Sequence, residues 1–275
     1  MFEIIDFDGH FADYTSAWME GHRKDYRTLD AMEADLPRVY RDFLNTPADW
    51  LDGLTPGAYF TQFEDPKDLV DWLAAYCRAG VSVPELLMEQ IESVGKPCEK
   101  RLVALLKDEG AGMDARMTAM GLLRNLESTQ PKMLYIAWQM NREAEDELAD
   151  SAIDSLAQMG AAALQPMMEA LPKANPDGQT ALLDVLVNHP GPEVIYQTAM
   201  KLFRERTESR ALYASYLAKL GDERALPELE KAAADPDTGY VAFIELRAAI
   251  ERLGGEAPKR DFDGDPDYEI LSGME

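Results

Sequence analysis

The stretch Leu220-Gly221-Asp222-Glu223-Arg224-Ala225-Leu226-Pro227-Glu228-Leu229 decides the fold. Behind it come Ala232-Ala233-Ala234-Asp235-Pro236-Asp237 and then an apolar run that stops at Leu253-Gly254. Glycine adopts the left-handed conformation that ends a helix, and Asp-Pro-Asp is turn chemistry. The segment therefore reads as helix, short turn, helix, glycine stop. Working outward, comparable stops fall at Gly95, Glu127, Gly160, Gly191, Gly221 and Gly254, at spacings of 32, 33, 31, 30 and 33 residues. A stretch of 30 residues, 65–94, fits in front, which makes about six units in tandem.

The other units divide in the same way. In the unit from Gly95, Leu102, Leu105 and Leu106 share one helical face, and the turn over 108–113 holds two glycines. Asp114 is placed to cap a second helix, along which Met117, Met120, Leu123 and Leu126 recur every three residues. In the unit from Gly160, the first stripe is Leu164, Met167, Met168 and Leu171, and the turn is Asn175-Pro176-Asp177-Gly178. Leu182, Leu183 and Leu186 form its second stripe. One hairpin of this kind cannot bury both its faces, so its neighbours must stack on it. Nothing here alternates with period two. The expectation is an all-α fold, an α-solenoid wound as a right-handed superhelix of about six helical hairpins over 65–254.

The segment 220–254 resembles a HEAT repeat of the short type found in phycobilin-lyase-like proteins, through LGDERALPEL at 220–229 and the Asp-Pro-Asp turn at 235–237. That family often places an Arg eleven residues before the closing glycine. Arg116 and Arg210 stand there when counted from Glu127 and Gly221, while Phe243, Thr180 and Ala149 occupy the position in other units. The resemblance implies the fold over 65–254 and says little about function, because the repeat serves many unrelated tasks.

The two ends differ from the array. Residues 1–64 hold 12 of the chain's 24 aromatic residues. They read as an N-terminal helical cap with runs near 13–22, 29–44 and 47–53, and with Thr46-Pro47 and Thr55-Pro56 as helix starts. Phe2, Ile4, Ile5, Phe7 and Phe11 read as apolar anchors of the first segment. Residues 255–275 read as an acidic tail, extended because Gly264 and Pro266 interrupt it.

The chain has 275 residues, with 27 Lys+Arg against 51 Asp+Glu, a formal net charge of −24. Hydrophobic residues make up 46%, enough for a large core. The charge repels duplex DNA and anionic membranes. No 18 apolar residues run together, so no membrane span is expected, and the acidic opening predicts no secretory leader. Cys77 and Cys98 lack CxxC spacing and read as two buried thiols of a reduced, cytoplasmic protein.

Catalytic signals are sparse. The three histidines, His10, His22 and His189, form no HExxH and no His-Glu dipeptide of the kind with which some HEAT-repeat hydroxylases hold iron. Asp6-Phe7-Asp8-Gly9 resembles the first motif of haloacid-dehalogenase-like phosphatases. It continues with His10 instead of Thr or Val, and the helical remainder has no parallel sheet. The alternating acids from Asp261 to Glu269 miss the calcium-loop pattern, since Gly264 falls at position four and Ser272 at twelve. The basic clusters Arg23, Lys24, Arg27 and Lys201, Arg204, Arg206, Arg210 are interleaved with acids and read as salt-bridged surface. Residues 85–254 carry 28 acids and 18 bases, unlike the basic groove of HEAT-like DNA glycosylases. No catalytic residue, metal or cofactor is predicted.

The better lead is the second helix of each unit, which lines the concave face in HEAT arrays. Arg116, Arg124, Tyr213, Tyr216, Tyr240, Phe243 and Arg247 fall there and are the candidate partner-binding residues, of types that often anchor interfaces. The expected function is a non-catalytic scaffold holding a protein or peptide, basic by complementarity to the acidic chain. The alternatives are a lyase-type handler of a chromophore-like small molecule, on the family resemblance, and a HEAT-like nucleic-acid enzyme. Phe262, Tyr268 and Ile270 are placed to fold the tail back into aromatic pockets of the groove.

Overall fold

The computed structural model describes residues 3–143 and 145–272, without the side chains of residues 271 and 272. Phe2 therefore lies outside the described residues. No strand occurs among the described residues, and the chain is all-α. Two compact units divide it, Met1–Gln130 and Pro131–Glu275.

The first unit opens with α1 (Phe7–His22), α2 (Leu29–Glu33), α3 (Leu36–Asn45) and α4 (Pro56–Tyr59). Helix α1 starts six residues earlier than the sequence suggests, because Asp6 caps it by accepting from the Gly9 amide at 2.9 Å. The phosphatase-like Asp is thus a helix cap. Thr55-Pro56 does start a helix. Thr46 instead ends α3, its hydroxyl donating to the Asp42 carbonyl, and only a 310 turn follows at Asp49–Leu51.

Two hairpins follow, α5 (Pro66–Ala79) with α6 (Glu85–Val94) and α7 (Lys96–Lys107) with α8 (Met113–Asn125). Helices α5, α6, α7 and α8 all pack on one another. Aromatic residues join the opening segment to α5. Trp72 donates through Nε1 to the Glu3 carbonyl at 2.9 Å. The buried Tyr76 hydroxyl accepts from the Ile5 amide and donates to the Ile5 carbonyl. Burial pushes the Tyr76 phenol up to about 12, so it stays protonated and keeps that donor. Phe7 and Phe60 sit between Trp50 and Trp72 in edge-on and tilted contacts of 5.1 to 5.3 Å.

The second unit holds four hairpins: α9 (Lys132–Met140) with α10 (Glu147–Met159), α11 (Ala161–Ala170) with α12 (Pro176–Leu186), α13 (Glu193–Glu205) with α14 (Arg210–Leu220), and α15 (Leu226–Ala234) with α16 (Tyr240–Arg252). Six hairpins therefore follow the N-terminal cap among the described residues, the number the stop spacing predicts. Each predicted stop has positive φ: Gly95 at 76°, Glu127 at 52°, Gly160 at 53°, Gly191 at 149°, Gly221 at 69° and Gly254 at 83°. The tail is not wholly extended. Pro266 opens a further helix, α17 (Pro266–Ser272), because proline fits the first helical position although it breaks a helix interior.

Between α9 and α12 the backbones approach closely. Asn175 caps α12 by accepting from the Gly178 amide at 2.9 Å, and its side-chain amide donates to the Arg142 carbonyl at 2.7 Å. Gly178 is required there, since a Cβ on it would fall 1.8 Å from the Gln139 carbonyl oxygen. Gly178→Ala should cost about 3 kcal/mol in chemical denaturation, as the backbones are forced apart. Gly121→Ala, in the interior of α8 with open space around it, should instead stabilise by about 0.5–1 kcal/mol. Equal effects at the two sites would contradict this packing.

Candidate functional site

The predicted partner-facing residues fall into three environments. Tyr213 and Tyr216 of α14 are buried. Their rings meet edge to face, with centroids 6.1 Å apart. Tyr213 shares a hydrogen bond of 2.8 Å with the Thr180 hydroxyl, and Tyr216 donates to Asp184 at 3.2 Å. Both partners belong to α12, so these tyrosines bind one hairpin to the next. Burial, then the Asp184 charge, raises the Tyr216 pKa well above the ordinary tyrosine value, which keeps the hydroxyl a donor.

Arg116 and Arg124 lie on α8 in the first unit and are half-buried. Arg116 donates through Nε to the Leu106 carbonyl at 3.0 Å and so satisfies the open end of α7. Arg210 holds the matching position at the start of α14 but works differently. Its Nε is buried without an acceptor, and Nη1 lies 4.0 Å from Asp235. Beside it opens a pocket of about 400 Å³ lined also by Thr207, Asp237, Thr238 and Ala242. The rest of that basic run is taken up in ion pairs, Arg204 with Glu228 at 2.8 Å and Arg206 with Asp177 at 2.5 Å.

Tyr240, Phe243 and Arg247 lie along α16, and the first two are covered by the tail. Phe262 is buried between Tyr240 and Phe243, at centroid distances of 5.2 and 4.9 Å. Tyr268 meets Tyr240 edge to face at 4.9 Å. Ile270 stays exposed and fills no pocket. Arg260 places its guanidinium 4.7 Å from the centre of the Phe262 ring. It donates to the carbonyls of Thr238 at 2.8 Å, Pro236 at 3.1 Å and Ala233 at 3.3 Å. Helix α16 has no side-chain cap of its own at Gly239. Asp265 supplies one from 25 residues away, accepting from the Tyr240 amide at 2.9 Å. Its other oxygen accepts from Asp267 and Tyr268 at the start of α17. Arg247 remains exposed and pairs with Glu251 at 2.7 Å.

Sequence reasoning missed three exposed apolar residues on the same pair of packed helices, Leu212 on α14 and Val241 and Ile244 on α16. Apolar residues occur on every side of α16, so the pattern alone does not separate its buried face, at Phe243, Leu246 and Ile250, from the exposed one. Among the described residues no group of three or more His, Cys, Asp or Glu is arranged to hold a metal ion. Cys77 and Cys98 are free, and burial raises both thiols, Cys98 to about 11, which makes them poor nucleophiles. No helix among the described residues is long and apolar enough to cross a membrane. No protein-family model, curated protein or solved structure matches the chain.

The tail contact carries a pH signature. The Tyr240 amide above all, then those of Tyr268 and Asp267 and the Arg260 charge, hold the Asp265 carboxyl below its ordinary value of 3.8. A lowered folded pKa means the contact is at full strength above about pH 4 and is lost as pH falls through the folded value. The protection factor of the Tyr240 amide should therefore be constant from pH 7 to pH 5 and drop below pH 4. In Asp265→Asn it should already be reduced at pH 7. Protection that ignores both changes would contradict the assigned cap.

Proposed function

We propose that this chain is a non-catalytic, cytoplasmic binding protein, a HEAT-like scaffold whose second unit receives a segment of another protein across α14 and α16. The observation that carries the reading is the exposed apolar set Leu212, Val241 and Ile244 on two packed second helices, one of which, α16, already holds a peptide segment through Tyr240 and Phe243. Apolar side chains left in water on neighbouring elements mark interaction sites more often than isolated ones do. The net charge of −24 favours a partner segment with basic residues, and its association should weaken with salt. Two free thiols, Cys98 buried and Cys77 half-buried, fit a reducing compartment.

The test compares affinity capture from a lysate of the source organism by the intact chain and by Val241→Asp/Ile244→Asp, at low and high salt. The reading predicts a protein enriched on the intact chain at low salt, reduced at least about tenfold on the variant and reduced again at high salt. Equal recovery on the two chains, or co-purification of a small molecule alone, would sink it.

A further inference from the structure

Residues 260–268 lie on the last hairpin as a bound peptide lies on its receptor. One guanidinium, one aromatic ring and one carboxylate each have a matching feature on the array. The Arg260 guanidinium meets the carbonyls of Ala233, at the end of α15, and of Pro236 and Thr238 in the turn after it, which also carries Asp235 and Asp237. The Phe262 ring enters the space between Tyr240 and Phe243. The Asp265 carboxylate meets the free amide at the start of α16, where the helix dipole also favours negative charge.

The segment is held lightly for something so well matched. From residue 256 to residue 270, Phe262 is the one buried side chain. The connecting stretch is anchored at its start, where the Gly255 amide donates to the Ile250 carbonyl at 3.0 Å, and between there and Arg260 it leaves an open pocket of about 520 Å³ against Phe243, Arg247 and Glu251. Few buried contacts and an open linker are the marks of a segment that detaches without unfolding its neighbours. Its flanks are also electrostatically poor. Asp261 and Asp263 are exposed acids carried by a protein of net charge −24.

Building on the binding-protein reading, we propose that the turn before α16, together with Tyr240 and Phe243, is a docking groove for a partner segment of the pattern Arg-x-aromatic-x-x-Asp. In this proposal residues 260–268 are an internal competitor with unfavourable acidic flanks. A partner presenting the same three anchors with neutral or basic flanks displaces the tail and leaves Val241 and Ile244 available beside it. The internal segment then sets a threshold, because a site populated in its open form only part of the time binds more weakly by that fraction.

The experiment uses the full chain and synthetic peptides spanning residues 257–272. Arg260→Ala/Phe262→Ala in the full chain empties the groove, and circular dichroism and thermal melting establish that the array stays folded. The peptide should bind this variant saturably and the intact chain at least about tenfold more weakly. A peptide carrying Asp261→Asn and Asp263→Asn should bind more tightly than the native one, with the gap narrowing at high salt. A peptide carrying Asp265→Ala should lose binding. If the double variant melts early, Asp265→Asn in the full chain serves in its place. Binding to neither chain, or equally to both, would overturn the groove. Lysate capture through Val241 and Ile244 can succeed while the peptide binds neither chain, so the scaffold reading and the groove fail separately.

Discussion

Every helical hairpin in this chain has more apolar face than it can cover alone, and that constraint shapes the rest of the molecule. Stacking requires the chain to reverse between hairpins without spending a long loop. Five residues of positive φ stand at the joins between the six hairpins, Gly95, Glu127, Gly160, Gly191 and Gly221, and Gly254 follows the last hairpin. At Gly95 and Gly160 a single residue of positive φ ends one helix and the next begins directly after it. At the α9–α12 joint the same demand goes further, since only a residue without Cβ lets the start of α12 meet the Gln139 carbonyl. Polar side chains then fix successive hairpins, as Tyr213 and Tyr216 do on α12.

Among the described residues no hairpin follows α15 and α16, and a repeat whose outer face is left open needs a cover. The tail provides one, with Phe262 on the aromatic end of α16 and Asp265 on its open amide. The cover differs from the hairpin joints in having one buried side chain where those have several. Capping and exchange therefore share a single physical origin. The feature that shields the end of the array is also weak enough to give way to a better-matched segment.

Much of the architecture was legible because hairpin length and stop chemistry repeat. Glycines and one glutamate at near-constant spacing, with leucine and methionine stripes between them, are read without knowledge of tertiary contacts. Misreadings arose where one residue type serves two ends of a helix. Thr46-Pro47 resembles a helix start, yet Thr46 closes the helix before it. Pro266 signals an interruption and is the first residue of α17. The candidate site was partly legible. The aromatic residues of α14 and α16 stood out by type, but type does not tell a ring between hairpins from a ring at the surface. Arg116 and Arg210 share one position in the repeat and have different surroundings, because the acceptor that serves Arg116 is the Leu106 carbonyl of its own hairpin. Val241 and Ile244 went unnoticed because α16 is apolar on every side.

In the proposed exchange the tail is a separable ligand of a stably folded last hairpin. Hydrogen–deuterium exchange of the intact chain, followed by peptide-level mass spectrometry at neutral pH, tests it most directly. Segments within 256–272 should then exchange long before α14 and the interior of α16, in a separate opening event. Exchange of the tail at the same rate as α16, in one cooperative step, would mean that the tail is an integral part of the hairpin and would contradict the account.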